Sequence, residues 1–374
     1  MPNPGERMIQ KASEAVTRKR LHPWQRGVQA SYTHRERLFD ALLPNGYWQG
    51  LMHSSVEHLH GPAEIPYGEN ELVVLCLIRN GESLVRAFIE HHVSLGAKHI
   101  VFLDNGSEDE TVSIARGYEN VTVLRSRMLY RKYELLMKRY LIRRFGKNRW
   151  SLYVDVDEFF DYPYSGIVSL GSLLHYLRER QYNAVVAQML DMFPEGPLSE
   201  SEDENDAPLR EIYRYYDLSN VRNLKYTQSR WIREKGNVVS NPKIPAMRSG
   251  IRKTLFNIQQ PLTKHPLVFL DDELEPLHNG SHAIKNARVA DFSCVLFHYT
   301  FVGLRAQAEH AVRESKNSTR SKKYGKVLRV LDQNPELRIK QDTSRELESV
   351  DGLVDIGFLH VSGDYMNWVK NEKG

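Results

Sequence analysis

The chain has 374 residues, a formal net charge of +4, and 41% hydrophobic against 26% charged residues. That length can bury a substantial core, the composition is that of an ordinary globular protein, and so small a net charge does not argue for nucleic-acid binding. No run of about 18 apolar residues occurs, so no transmembrane helix is predicted.

The opening "MPNPGERMIQKASEAVTRKR" has no apolar stretch of signal-peptide length. A cytoplasmic protein is therefore expected, touching the inner face of a membrane at most through its basic segments. The two cysteines, Cys76 and Cys294, both sit in apolar runs and read as small buried hydrophobes, not as a disulfide.

Residues 1–70 mix Pro, Gly and His without a sustained period and read as an N-terminal extension. Within it "RERLFDALL", Arg35 to Leu43, has helical character, and "PNGYWQG" is turn-like. From residue 71 to 302 the pattern is that of one α/β domain. Leu72 to Ile78 is a continuous apolar run of strand length, as expected for a strand covered on both faces. Beyond "RNGES", Val85, Phe88, Ile89, His92 and Val93 recur at helical spacing, and Gly96 stops that helix. Ile100 to Leu103 is a second strand ending in Asp104, and "NGSEDET" turns into another helix. Strand, helix, strand, helix is the signature of a parallel sheet.

"VTVLRSR" predicts a third strand and "WSLYVDVDEFF" a fourth, with a basic helix between them. A helix around "LGSLLHYLRERQ" leads to a fifth strand over Tyr182 to Phe193. The acidic stretch Ser199 to Asp206 reads as a solvated loop. Between 210 and 300 the helical pattern is poor, and "KTLFNI", "PLVFL" and "SCVLFHY" are strand-like. Residues 303–374 read as a basic, helical C-terminal segment.

The chemistry is concentrated in "SLYVDVDEFFDYP", Ser151 to Pro163. Asp155 and Asp157 alternate with Val156, so both leave the same face of the strand if it stays extended. Ligands of open parallel sheets bind beyond the carboxyl ends of the strands, where Asp104 and these two acids converge. Paired carboxylates repel unless a cation lies between them, and Mg2+ or Mn2+ held this way keeps positions open for phosphate oxygens. An EF-hand loop is excluded, because its sixth and twelfth positions are Phe160 and Gly166. A haloacid-dehalogenase-type phosphohydrolase would use Asp155 as nucleophile and Asp157 as acid/base, with Lys264, Asp271 and Asp272 as later motifs. Against it, that motif normally lies on the first strand of its domain. A non-enzymatic nucleotide- or anion-binding protein is the remaining alternative.

Taken together, "LCLIRNGESLVRAFIEHHVSLGAKHIVFLDNGSEDET" and "WSLYVDVDEFF" resemble the family 2-like glycosyltransferases of the GT-A fold. The resemblance is to the branch with an Arg-Asn-Glu-like first loop, a Asp-Asn-x-Ser second loop and an Asp-x-Asp-Glu-Phe acidic motif. It covers Leu72 to Phe160 and extends more weakly over Gly280 to Phe301. It implies a GT-A-like Rossmann-type domain, a nucleotide-sugar donor (a UDP-sugar above all) and a hydroxyl acceptor on a glycan or lipid carrier. By family analogy the pathway is polysaccharide or glycolipid biosynthesis.

The resemblance also assigns residues. Asp104 matches the acid that meets the nucleotide base, and Arg79 and Asn80 border the nucleotide. Asp155 and Asp157 match the diphosphate and metal motif for Mn2+ or Mg2+, with Asp157 the direct ligand and His298 the third contact. His282 and Lys253 lie on the acceptor or phosphate side. An inverting transferase needs a general base, for which the family's acidic pair has no clear equivalent here. Asp191, at the end of the fifth strand, is the position chosen, with Asp271, Asp272 and Glu273 as alternatives. The segment Arg125 to Arg149 carries ten Lys or Arg residues and one acid. It reads as a solvated helix face, as diphosphate contacts at Arg131 and Lys132, or as a surface for anionic lipid.

Overall fold

Seven consecutive apolar residues, Leu72–Ile78 (β2), are all buried and sit in the middle of an eleven-stranded sheet. The computed structural model describes residues 55–199, 208–229, 232, 235–277, 282–314 and 319–372. The helix expected at Arg35 to Leu43, the turn after it and most of the acidic loop lie outside these residues.

The elements that build the sheet follow in chain order. They are β1 (Val56–His60), β2, β3 (His99–Asp104), β4 (Val121–Ser126), β5 (Trp150–Tyr153), β6 (Glu158–Asp161) and β7 (Ala184–Asp191). Then come β8 (Val238–Val239), β9 (Thr263–Lys264), β10 (Leu267–Phe269) and β11 (Arg288–His298). The order across the sheet is β1-β4-β3-β2-β5-β10-β7-β11-β8, with β9 on β7 and β6 on β11. The runs β4-β3-β2-β5 and β7-β11-β8 are parallel. Antiparallel β10 joins the two runs, and β1, β6 and β9 are also antiparallel. The sheet is thus mainly parallel, as expected. Val56–His60 falls inside the stretch read as an extension, yet it forms the sheet's edge.

Alternation along β2 divides its side chains between two cores. Val74, Cys76 and Ile78 pack with Leu84, Val85, Phe88 and Ile89 of α1 (Glu82–Ser94). Val73, Leu75 and Leu77 pack with Met137, Leu141, Ile142 and Phe145 of α3 (Tyr130–Gly146). A strand covered by helices on both faces has no use for polar alternation, which is why β2 reads as an unbroken apolar run. Helix α1 ends before Gly96, whose φ of 104° is a left-handed value. Val93, placed in the apolar stripe, is instead exposed. Short α2 (Thr111–Ala115) follows β3, and α4 (Leu170–Glu179) is capped by Ser169, which accepts from the Ser172 amide.

Two local expectations change. "WSLYVDVDEFF" is two strands, because the chain leaves β2 after Tyr153, turns through Asp155, and pairs from Glu158 onward with β11. "KTLFNI" is helical, forming α5 (Ile251–Phe256), which ends on Asn257 in the left-handed region. Its flanking β-branched and aromatic residues suited either state, and tertiary packing decided between them.

After β11 come α6 (Leu304–Glu314), α7 (Thr319–Gln333), α8 (Val350–Asp355) and α9 (Gly363–Glu372). Helix α7 packs against α6 and α5. Tyr365 of α9 is fully buried, stacked on Phe292 at 4.2 Å between ring centroids. Cys76 and Cys294 are buried free thiols. Among the described residues, no helix is long and apolar enough to cross a membrane.

Candidate active site

The carboxyl ends of β2, β3, β5, β7 and β11 lie on one edge of the sheet, and every group discussed next is anchored there or reaches it. Two chains of alternating charge meet at the turn between β5 and β6. In the first, Lys138 of α3 lies 3.6 Å from Asp155 Oδ1, and Lys264 of β9 lies 3.3 Å from Asp155 Oδ2. The Lys264 ammonium also binds Glu158 directly, and the Glu158 side chain accepts from the Asp155 amide. The turn itself closes through the Glu158 amide donating to the Asp155 carbonyl, 3.0 Å.

The second chain runs from Arg252 of α5 to Asp157. Arg252 Nε donates to Asp191 Oδ2 at 2.8 Å, and Asp191 Oδ1 holds His298 Nδ1 at 2.6 Å. On its other side His298 Nε2 faces Asp157 Oδ2 at 3.3 Å. Asp157, Glu158 and His298 each offer a ligand atom within 4.8 Å of the others. Two carboxylates and one imidazole are a donor set suited to a divalent ion such as Mn2+.

Burial and charge set the protonation of these groups. Burial alone raises Asp155, but Lys138 and Lys264 overcome it and hold the carboxyl well below its ordinary range. Burial lowers Lys264, and Glu158 and Asp155 more than restore it. Burial likewise opposes the charged form of His298, yet Asp157 and Asp191 raise it from 6.5 to about 9. His298 is therefore an imidazolium at neutral pH, held between two carboxylates whose own pKa values it lowers.

Exposure separates the acids. The Asp155 and Asp157 side chains are 38% and 23% exposed, whereas Asp191 is 4% and Lys264 3% exposed. An entering ligand meets the two aspartates first.

No family model matches the chain, and no curated protein matches it. Among solved structures it is similar to TarS of S. aureus. One structure, of residues 1–349, has a TM-score of 0.27 at 15% identity and covers 34% of this chain and 40% of that one. A second TarS structure gives a TM-score of 0.27 at 16% identity, over 34% of this chain and 24% of that one. Both matches span well under two thirds of the TarS chains, and the reading of the site rests on its own residues.

The expected residues fall into three groups. Asp155, Asp157, His298 and His282 come together. His282 Nδ1 lies 3.1 Å from the Thr263 carbonyl, and burial, then Lys264, hold its imidazole down at about 3. Because the strand breaks at the turn, Asp155 points to two lysines, while Glu158 lies beside Asp157 and His298.

Asp191, expected as the base, is brought in beside His298; its two oxygens meet Arg252 Nε and His298 Nδ1, and only 4% of its side chain is exposed. Asp271, Asp272 and Glu273 are at the wrong edge. They follow antiparallel β10, whose Phe269 pairs with Trp150 at the start of β5.

A third group borders the site. Asp104 is fully buried, and its carboxylate accepts from Arg125 Nε and the Ser107 amide, both at 2.8 Å. It lies two strands from β5, about 10 Å across the sheet. Asn80, at a φ of 51°, donates its amide to Ser107 Oγ and accepts from the Glu108 amide. It thus stitches the two loops together, beside half-buried Arg79. Arg131 lies in the first turn of α3. Lys253 turns away from the acids toward Asn257, and its neighbour Arg252 faces them.

Four site residues were not singled out by sequence for these roles: Lys138, Glu158, Arg252 and Lys264. Glu158 had a visible signal, since it immediately follows the acidic pair. Lys138 was hidden in a basic helix that reads as solvated, although it is buried.

Proposed function

We propose that the chain is a metal-dependent glycosyltransferase that moves a sugar from a nucleoside diphosphate donor, a UDP-sugar first, to a hydroxyl acceptor on a glycan or lipid carrier. The observation that carries this reading is the Asp157, Glu158 and His298 cluster at the carboxyl edge of a mainly parallel sheet, where diphosphate ligands bind. In this reading residues 71–302 are the transferase domain, with β1 added at its edge, and α7 and α9 of the C-terminal segment pack against it.

Asp157, Glu158 and His298 are the residues that would hold Mn2+ or Mg2+, and the imidazole favours Mn2+. When bound, the ion supplies positive charge to the departing diphosphate. The chain's own groups prepare for that. Asp191 fixes the His298 ring through Nδ1, leaving Nε2 turned to Asp157. A metal held at Nε2 would require the neutral imidazole, so binding would release the His298 proton to solvent. Lys138 and Lys264 neutralise Asp155, so that the second carboxylate of the pair adds little repulsion to an incoming diphosphate. Asp104 orders Arg125 and the second loop where the nucleotide base would lie.

A donor screen tests this reading. Purified protein with Mn2+ is expected to hydrolyse one of the UDP-, GDP- or CMP-sugars slowly, with loss of turnover in EDTA and in Asp157→Ala. No turnover of any donor would contradict it. Phosphate release from a simple phosphomonoester, lost in Asp155→Asn, would favour the phosphohydrolase instead.

A further inference from the structure

Beside the carboxylate cluster, where α7 packs against α5, three cations gather around the one acid, Asp191, that pairs with Arg252. Arg252 is 8% exposed, spends Nε on Asp191 and Nη1 on Gln260, and leaves Nη2 buried with no hydrogen-bond partner among the described residues. Helix α7 packs against α5, which carries Arg252. From α7, Lys323 is placed near enough to Arg252, Arg320, Asp191 and Asp157 to feel the charge of each. Among the described residues no carboxylate lies within ion-pair distance of Lys323, whose ammonium instead sits 5.1 Å from the Tyr324 ring centroid. Arg320 spans the gap to α3, with its guanidinium 5.8 Å from both the Tyr130 and the Tyr324 rings. Tyr130 in turn feels Asp155 and Lys138, so this rim and the acidic turn are one neighbourhood.

A half-buried ammonium crowded by two guanidinium groups is unfavourable unless an anion joins it. Burial first, and then Arg252 and Arg320, lower the Lys323 pKa to about 8. The orphaned Nη2 is a buried donor without an acceptor on the same guanidinium whose charge acts on Lys323. The requirement is for a compact group with several oxygens and at least one full negative charge, which is the description of a phosphate.

We propose that Arg252, Arg320 and Lys323 form a phosphate-binding subsite, contributed jointly by α5 and α7, that grips the diphosphate of the donor beside Asp157 and His298. This rests on the transferase reading for the source of the phosphate, but the subsite itself is defined by its cations. It gives the C-terminal helical segment a direct part in substrate binding.

Inorganic pyrophosphate, titrated calorimetrically into the full chain in EDTA, isolates the subsite from the metal. Wild-type protein is expected to bind it, and Lys323→Gln and Arg320→Gln to weaken binding by about tenfold each, the worth of a charged hydrogen bond. Lys322→Gln, at an exposed position on the same helix, is expected to change nothing. Failure of the wild type to bind pyrophosphate, or equal binding by Lys323→Gln and Lys322→Gln, would overturn the subsite. A parallel titration with UDP and Mn2+ separates the two claims. Loss of UDP affinity in Lys323→Gln supports the donor as the source. Pyrophosphate binding through Lys323 with no UDP response keeps the subsite for free phosphate and counts against the transferase. UDP binding indifferent to Lys323 does the reverse.

Discussion

Asp155 and Asp157 are two residues apart, yet the protein compensates them by different chemistry. Around Asp155 the partners are two lysines, one of them almost wholly buried, whose ammonium groups stay charged at any physiological pH. Around Asp157 the partner is His298, whose pKa the flanking carboxylates of Asp157 and Asp191 raise to about 9. The lysine half is permanently neutralised and acts as a support. In the proposed function the histidine half would exchange its proton for a metal cation and be the working part. A pair of acids that looks symmetrical in sequence is therefore divided between structure and chemistry.

The largest expected effect comes from breaking the lysine half. Lys264→Met leaves Glu158 and Asp155 facing each other without their buried cation and should cost about 3–5 kcal/mol of stability. Urea denaturation measures it, and Lys264→Met/Glu158→Gln should recover part of the loss. A loss under 1 kcal/mol in the single variant would show that the support is dispensable. In the histidine half the effects fall on ligand binding. Asp157→Asn should reduce Mn2+ affinity by at least about 100-fold, with urea stability close to wild type. Asp191→Asn, which touches the metal set only through His298, should reduce it by about 10–100-fold. Equal affinities in these two variants would dissolve the distinction between ligand and orienting residue.

The smallest expected effect is on pH dependence. The pKa of His298 is raised from 6.5 to about 9, so its ion pairs contribute fully below 6.5 and are lost as pH rises through 9. Metal-free protein should therefore lose thermal stability between those values, and His298→Gln should flatten that part of the profile. A melting temperature that rises over the same interval would contradict the assignment of charge.

These contrasts also show which parts of the molecule can be read in sequence. Strands β2, β3 and β7 were legible because each is buried along its length and reads as a mainly apolar run ending in a turn. The acidic turn was legible because carboxylates at the end of such a strand need an explanation. Its partners were not. Lys264 reaches Asp155 from β9, an antiparallel strand that enters the sheet beside β7 more than a hundred positions later, and nothing local marks that lysine as buried. Arg252 and Lys253 are adjacent cations, and only the tertiary contact with Asp191 distinguishes the one that faces the acids. Glu158 belongs to the acidic motif in sequence, but its place beside Asp157 and His298 depends on the turn that breaks the strand at Asp155.

A manganese titration followed by electron paramagnetic resonance, on wild type, Asp155→Asn and Asp157→Asn, tests the division of the two acids most directly. One ion bound per chain, lost in Asp157→Asn and kept within about tenfold in Asp155→Asn, is the expected result. Binding lost in Asp155→Asn and retained in Asp157→Asn, or no manganese bound by the wild type, would contradict it.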